Sequence, residues 1–226
     1  MKAMILAAGR GERMRPLTDR TPKPLLEVGG EKLIERHLRR LAAAGHVKIV
    51  INLSWLGSQI RQAVGNGQRY GVEIRYSDEG PTALEPAGGI FKALPLLGSD
   101  PFLVVNGDIW TDYPLEPAPL SSDADAHLVL VPNPPQHARG DFALEQGKVT
   151  EGKADRYTYS GIGIYRREFF AGCKPGKFPL LPLLRRASEA GRLTGEVYRG
   201  AWHDVGTPER LATFDSELRA ALGKAR

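Results

Sequence analysis

Three apolar runs, at residues 3–8, 47–51 and 102–105, constrain this chain more than any other feature; only Lys48 interrupts them. A strand with one wet face alternates apolar and polar residues, and these runs do not, so each expects cover on both faces. Between them lie stretches with helical spacing. Leu33, Ile34, His37, Leu38 and Leu41 recur at intervals of three and four and form one apolar stripe, which Gly45 terminates. His37 sits on that stripe and reads as a core histidine. Ser54 is placed to cap a second helix carrying Ile60 and Val64, a strand follows at 72–76, and a third helix at 88–97. Covered strands alternating with helices give an α/β fold, expected as three layers, α/β/α, around a mainly parallel sheet.

The second half is less regular. Strands are expected at 127–131 and 157–165, and a hairpin joins 142–144 to 148–150 through Gln146-Gly147. Helices are expected at 180–190 and 208–222, the latter with Thr207 as cap and Pro208 in its first position. The 226 residues suffice for one full core, and residues 117–122 form the only linker-like stretch, so the expectation is a single domain over 1–226.

Composition removes several classes of function. No run of about 18 apolar residues is present, which argues against a membrane span. The short apolar start, followed at once by the charged stretch 10–15, reads as a buried strand and not as a signal peptide. Cys173 is the only cysteine, so no internal disulfide forms, which fits a cytoplasmic protein; a structural thiol is its plain reading. Lys and Arg number 31 against 26 Asp and Glu, a balance that suits phosphate-bearing ligands. The positive residues are scattered without interleaved aromatics, so nucleic acid is not expected as a partner.

The first apolar run leads directly into Ala8-Gly9-Arg10-Gly11-Glu12-Arg13-Met14. Glycines there allow backbone N–H groups to approach a phosphate. The loop is neither a dinucleotide fingerprint, since Met14 stands in place of the third glycine, nor a Walker A loop, since no Gly-Lys-Ser/Thr follows. Lys23 follows between Pro22 and Pro24, which points to a stiff, extended segment. Arg13 and Lys23 could converge on a triphosphate or form a solvated charge pair.

These residues resemble the opening of the sugar-1-phosphate nucleotidyltransferases, Leu-Ala-Ala-Gly-x-Gly-x-Arg-x-x-Pro-Leu-Thr and then Pro-Lys-Pro-Leu. The resemblance continues through Val105-Asn106-Gly107-Asp108 and Trp202-His203-Asp204-Val205-Gly206-Thr207. It implies a Rossmann-like nucleotidyltransferase fold, with the nucleotide side in about 1–110 and a small sugar-binding lobe in about 111–226. Its substrates are a nucleoside triphosphate and a sugar 1-phosphate, and pyrophosphate is released. By the same resemblance Asp108 and Asp204 coordinate Mg²⁺, although either aspartate could instead cap a turn. Arg13, Lys23 and Asp108 are the implied catalytic residues, and Ala8, Gly9, Gly11, Glu12, Arg13 and Lys23 hold the nucleotide.

The base is expected near Glu85 and Gly88, where Pro86 removes one N–H that relatives of one form could donate. On the sugar side the resemblance implies Asn106, Gly140, Glu151 and Ser160. Glu151-Gly152-Lys153 departs from the family's Glu-Lys-Pro by an inserted glycine and a missing proline. Tyr159 reads equally as a sugar wall or a core aromatic. The compact length, together with Gly107-Asp108-Ile109-Trp110-Thr111-Asp112-Tyr113, is most similar to the branch that joins UMP to N-acetylmuramic acid 1-phosphate in cell-wall sugar recycling. There Arg139 or Lys153 would meet the lactyl carboxylate. A mannose-1-phosphate guanylyltransferase is the nearest alternative. A non-catalytic nucleotide-sugar sensor is the alternative of another class, and the sequence leaves the oligomeric state open.

Overall fold

The computed structural model describes residues 1–153 and 155–224. In chain order these form β1 (Lys2–Leu6), β2 (Glu27–Val28), β3 (Glu31–Lys32), α1 (Leu33–Ala43), β4 (Lys48–Leu53), α2 (Gly57–Val64), β5 (Glu73–Asp78), α3 (Glu85–Leu97), β6 (Phe102–Asn106) and β7 (Ile109–Thr111). There follow β8 (Ala126–Val131), β9 (Phe142–Glu145), β10 (Lys148–Thr150), β11 (Arg156–Tyr165), α4 (Leu181–Glu189), β12 (Leu193–Val197), β13 (Trp202–Asp204) and α5 (Pro208–Lys224).

Among the described residues nine strands build one sheet in the order β5-β4-β1-β6-β11-β8-β12-β10-β9. The α/β class stands, but the sheet is mixed and not mainly parallel. β5, β4, β1 and β6 run parallel. β11 then enters antiparallel between β6 and β8, and the β9–β10 hairpin is antiparallel as well. Parallel neighbours need a long crossover, whereas the two-residue turn at Gln146 and Gly147, both at positive φ, permits the reversal.

Residues of β1 divide by parity between two apolar clusters. Ala3 and Ile5 join Ile34 and Leu38 of α1 and Ile60 of α2, while Met4 joins Ile90 and Leu94 of α3 and Leu184 of α4. Period-two alternation with apolar residues on both faces is what the sequence pattern demanded.

Three local expectations change. Ser54 does not cap α2; its hydroxyl donates to the Gly80 carbonyl at 2.9 Å, and Leu56 in the left-handed region precedes the helix. Lys23 does not lie in an extended stretch but opens a short 3₁₀ turn, closed by Leu25 N donating to Pro22 O at 2.8 Å. Helix α3 begins at Glu85, ahead of the expected Gly88, because Pro86 is tolerated in the first turn. Strand β12 had no counterpart in the sequence reading.

Candidate active site

The ends of the parallel strands converge on one side of the sheet, where open α/β sheets place their ligands. Leu6 at the end of β1, Asn52 in β4, Glu79 just beyond β5 and Asn106 at the end of β6 all line one cavity. The glycine loop forms its floor: Ala8, Gly9, Gly11, Glu12, Arg13, Lys23 and Glu85 line it as well. Gly11 has φ +66, and a Cβ there would lie 2.9 Å from Thr18 Cγ2, so both conformation and space call for glycine. Met14, fully buried with Val205 and Phe214, anchors the loop and leaves Arg13 exposed beside it.

A second cavity adjoins the first. It is lined by Gln136, His137, Thr158, Tyr159, Ser160, Trp202, Asp204, Thr207 and Arg210 among others. Arg13, Asn106 and Asp108 line both cavities and form the junction between them.

Two strand pairings build that junction. Gly107 N donates to Leu6 O at 2.9 Å, which fixes the turn that delivers Asp108. β7 and β13 then pair antiparallel, with Asp204 opposite Ile109, and Val205 N donates to Asp108 O at 3.2 Å. Asp204 ends β13 and Asp108 immediately precedes its partner β7, so the pairing brings together residues from distant parts of the chain. Each carboxylate has a cation: Lys23 Nζ lies 2.6 Å from Asp108 Oδ2, and Arg210 Nη1 lies 2.9 Å from Asp204 Oδ2. Lys23 is 7% exposed, and a cation so buried is accommodated by pairing with an opposite charge.

A buried network missing from the sequence reading supports the first cavity. Asn52 Oδ1 accepts from Ala7 N at 2.8 Å, and Asn52 Nδ2 donates to Glu79 Oε1 at 2.7 Å. Glu79 Oε2 accepts from Leu84 N at 2.7 Å. The network joins β1, β4 and the start of α3, and Gly89 packs against it with no room for a Cβ beside Glu79 and Asn52. Glu85 follows with φ +62, a conformation costly for a non-glycine residue. A polar residue closing an apolar run, as Asn52 does in β4, was the available signal; Glu79 had none.

Beneath the junction, α1 holds the segment after Asp108. Arg36 Nη2 donates to Thr111 O at 3.3 Å, Arg40 Nη2 donates to Tyr113 O at 2.5 Å, and the buried His37 hydrogen-bonds the Ile109 backbone. Burial pushes the His37 pKa down to about 4, against that hydrogen bond.

Other expected residues lie elsewhere. Gly88 faces Gly176 and Phe178, and its N–H donates to Phe178 O at 3.2 Å, so it buttresses α3 and does not line the cavity. Gly140, with φ +61, packs on Asn133 and closes the loop carrying His137. Glu151 pairs with Arg185 Nε at 2.6 Å and lines neither cavity. Arg139 and Lys153 line neither cavity. Ser160 lines the second cavity, but its hydroxyl donates to Val129 O at 2.6 Å within the β11 bulge. Tyr159 combines both readings, since it lines the cavity while its hydroxyl lies 2.9 Å from that of Tyr165.

The donor chemistry suits a small hard cation. Asp108 and Asp204 supply carboxylate oxygens at one cavity, and no cluster of three or more His, Cys, Asp or Glu ligands occurs among the described residues. One or two carboxylates, completed by water and phosphate oxygens, is how Mg²⁺ is commonly bound. No helix among the described residues is long and apolar enough to cross a membrane.

Comparison with known proteins places the chain in a family. Residues 2–142 match the family model described as nucleotidyl transferase. An N-acetylmuramate alpha-1-phosphate uridylyltransferase from Neisseria meningitidis serogroup B is 53% identical, over 93% of this chain and 95% of that protein. A protein of the same description from Caulobacter vibrioides is 35% identical over 97% of both chains. A crystal structure of a candidate glucose-1-phosphate thymidylyltransferase from Bacillus anthracis superimposes with TM-score 0.84 at 24% identity, covering 97% of this chain and 95% of that one, which shows the shared fold.

Proposed function

The chain belongs to the nucleotidyl transferase family, and on that premise we propose that it transfers UMP from UTP to N-acetylmuramic acid 1-phosphate and releases pyrophosphate. The choice of sugar and base is carried by one observation, 53% identity to a protein of that description over nearly the full length of both chains. We read the molecule as one three-layer domain working in the cytoplasm, with a nucleotide side in about 1–110 and a sugar side in about 111–226.

In this reading UTP occupies the cavity over the glycine loop, and the sugar phosphate occupies the cavity against β11. The two reacting phosphates meet at Arg13, Asn106 and Asp108, the residues common to both. A phosphate oxygen of the sugar attacks the α-phosphorus of UTP, and the bond from that phosphorus to the bridging oxygen of pyrophosphate breaks. Such transfers need in-line positioning and cover for oxygen charge more than they need covalent help. Arg13 covers charge on the leaving pyrophosphate, and Lys23 holds the phosphates once they compete with Asp108 for its ammonium. Backbone N–H groups of residues 8–12 cradle the triphosphate. Glu85 and the Asn52–Glu79 network shape the base end, while Asn106 and the Ser160 bulge bound the sugar. Asp108 and Asp204 would hold Mg²⁺, which when bound neutralises phosphate charge.

Pyrophosphate release with Mg²⁺, measured over four nucleoside triphosphates and the 1-phosphates of N-acetylmuramic acid, mannose, glucose and N-acetylglucosamine, tests the proposal. Turnover centred on UTP with the muramic sugar is expected. Turnover centred on GTP with mannose 1-phosphate would replace it with the guanylyltransferase reading. No turnover by folded protein that still binds nucleotide would replace it with a sensor.

A further inference from the structure

The muramic sugar differs from N-acetylglucosamine by a lactyl ether whose carboxylate adds one negative charge, so its pocket needs a donor that the sequence reading placed at Arg139 or Lys153. Neither side chain lines the sugar-side cavity. The basic residues that do, among those described, are Arg13, His137 and Arg210. Arg13 stands at the phosphate junction, and Arg210 holds Asp204 at 2.9 Å.

His137 is placed differently. It lies on the cavity wall at the end of a short 3₁₀ turn (Pro135–His137) that follows Pro134, and the two prolines fix φ on the approach. Its Nε2 lies 2.9 Å from Asp141 Oδ1, and Asp141 Oδ2 accepts from Tyr159 N at 2.8 Å. The ring is thus tied through Asp141 to β11, the strand that borders the second cavity, and Nδ1 has no hydrogen-bond partner among the described residues. Gly140 N donates to His137 O at 3.1 Å and closes the loop behind it.

We propose that His137, oriented by Asp141, recognises the acidic substituent of the sugar and so determines specificity for a carboxylate-bearing sugar 1-phosphate. This rests on the substrate reading above. Nε2 is held at Asp141 Oδ1, and Nδ1 is the ring edge that donates to the lactyl carboxylate. Asp141 is the positioning residue, and no proton need be transferred.

The test compares kcat/KM for N-acetylmuramic acid 1-phosphate with that for its lactyl methyl ester, which keeps the shape and removes the charge. A charge-assisted hydrogen bond predicts that the wild-type acid-to-ester ratio falls roughly 10- to 100-fold in His137→Gln, mainly through KM, and recovers in part in His137→Lys. A ratio unchanged in His137→Gln, or equal losses for acid and ester, would overturn the role of His137 while leaving the substrate reading intact. A wild-type enzyme that prefers a sugar lacking the carboxylate would overturn the substrate reading and this inference with it.

Discussion

Arg13 is exposed at the boundary of two cavities while its neighbour Met14 is fully buried, so the loop presents one cation to the junction by sinking the next residue into the core. Removing a group that meets charge chiefly in the transition state typically lowers the rate about 10²- to 10³-fold. Arg13→Ala should therefore lose kcat on that scale while the far-ultraviolet circular dichroism spectrum stays native. Asn52 poses a separate test, because its amide satisfies both the Ala7 N–H and the Glu79 carboxylate. Asn52→Ala leaves both buried groups short of a partner, and unfolding in urea should show a loss of about 1–3 kcal/mol. The loop residues' place at the cavity was legible in the sequence because it is set locally, by glycines and cations a few positions apart. Asn52 and Glu79 were not, because their meaning depends on strands 27 residues apart being adjacent in the sheet.

At the scale of elements, α1 has two tasks. Its apolar stripe covers the sheet, and Arg36, His37 and Arg40 hold the backbone that follows Asp108. His37 makes the second task dependent on pH. Its folded pKa, about 4, lies below the usual 6.5, so the unfolded chain takes up the proton first as pH falls. The stability it contributes is fully present above about 6.5 and is lost between 6.5 and 4, up to roughly 3 kcal/mol. His37→Leu should flatten that part of a plot of unfolding free energy against pH. Helix α5 offers a smaller test, since Arg210 N donates to Thr207 Oγ1 at 3.3 Å; Thr207→Ala should cost about 1 kcal/mol in the same assay.

Periodicity found the helices and the apolar strands within a few residues because burial enforces it. It overlooked β12, whose Gly195 interrupts a short, partly polar run and whose place beside β8 is set only by the fold. It also could not reveal that β11 runs antiparallel, since an apolar strand reads alike in both directions.

Taken whole, the two adjoining cavities are lined from the segments 6–24, 52–86, 106–109, 134–160 and 202–210. Substrate that bridges these segments should stabilise the entire fold and not one lobe. At a hundredfold excess over its dissociation constant, UTP with Mg²⁺ should add about 2.7 kcal/mol, or roughly 5–10 °C in Tm, in a single cooperative transition. Two transitions, with only one displaced by nucleotide, would show that the halves melt apart.

The pairing of β7 with β13 has a consequence in time. Asp204 is synthesised roughly a hundred residues after Asp108, which at ribosomal rates is a delay of about 5–20 s. Throughout that interval the emerging chain carries its glycine loop, Arg13 and Lys23 without the second carboxylate. The acidic pair is therefore complete only once the strand that carries Asp204 has been made and has paired with β7.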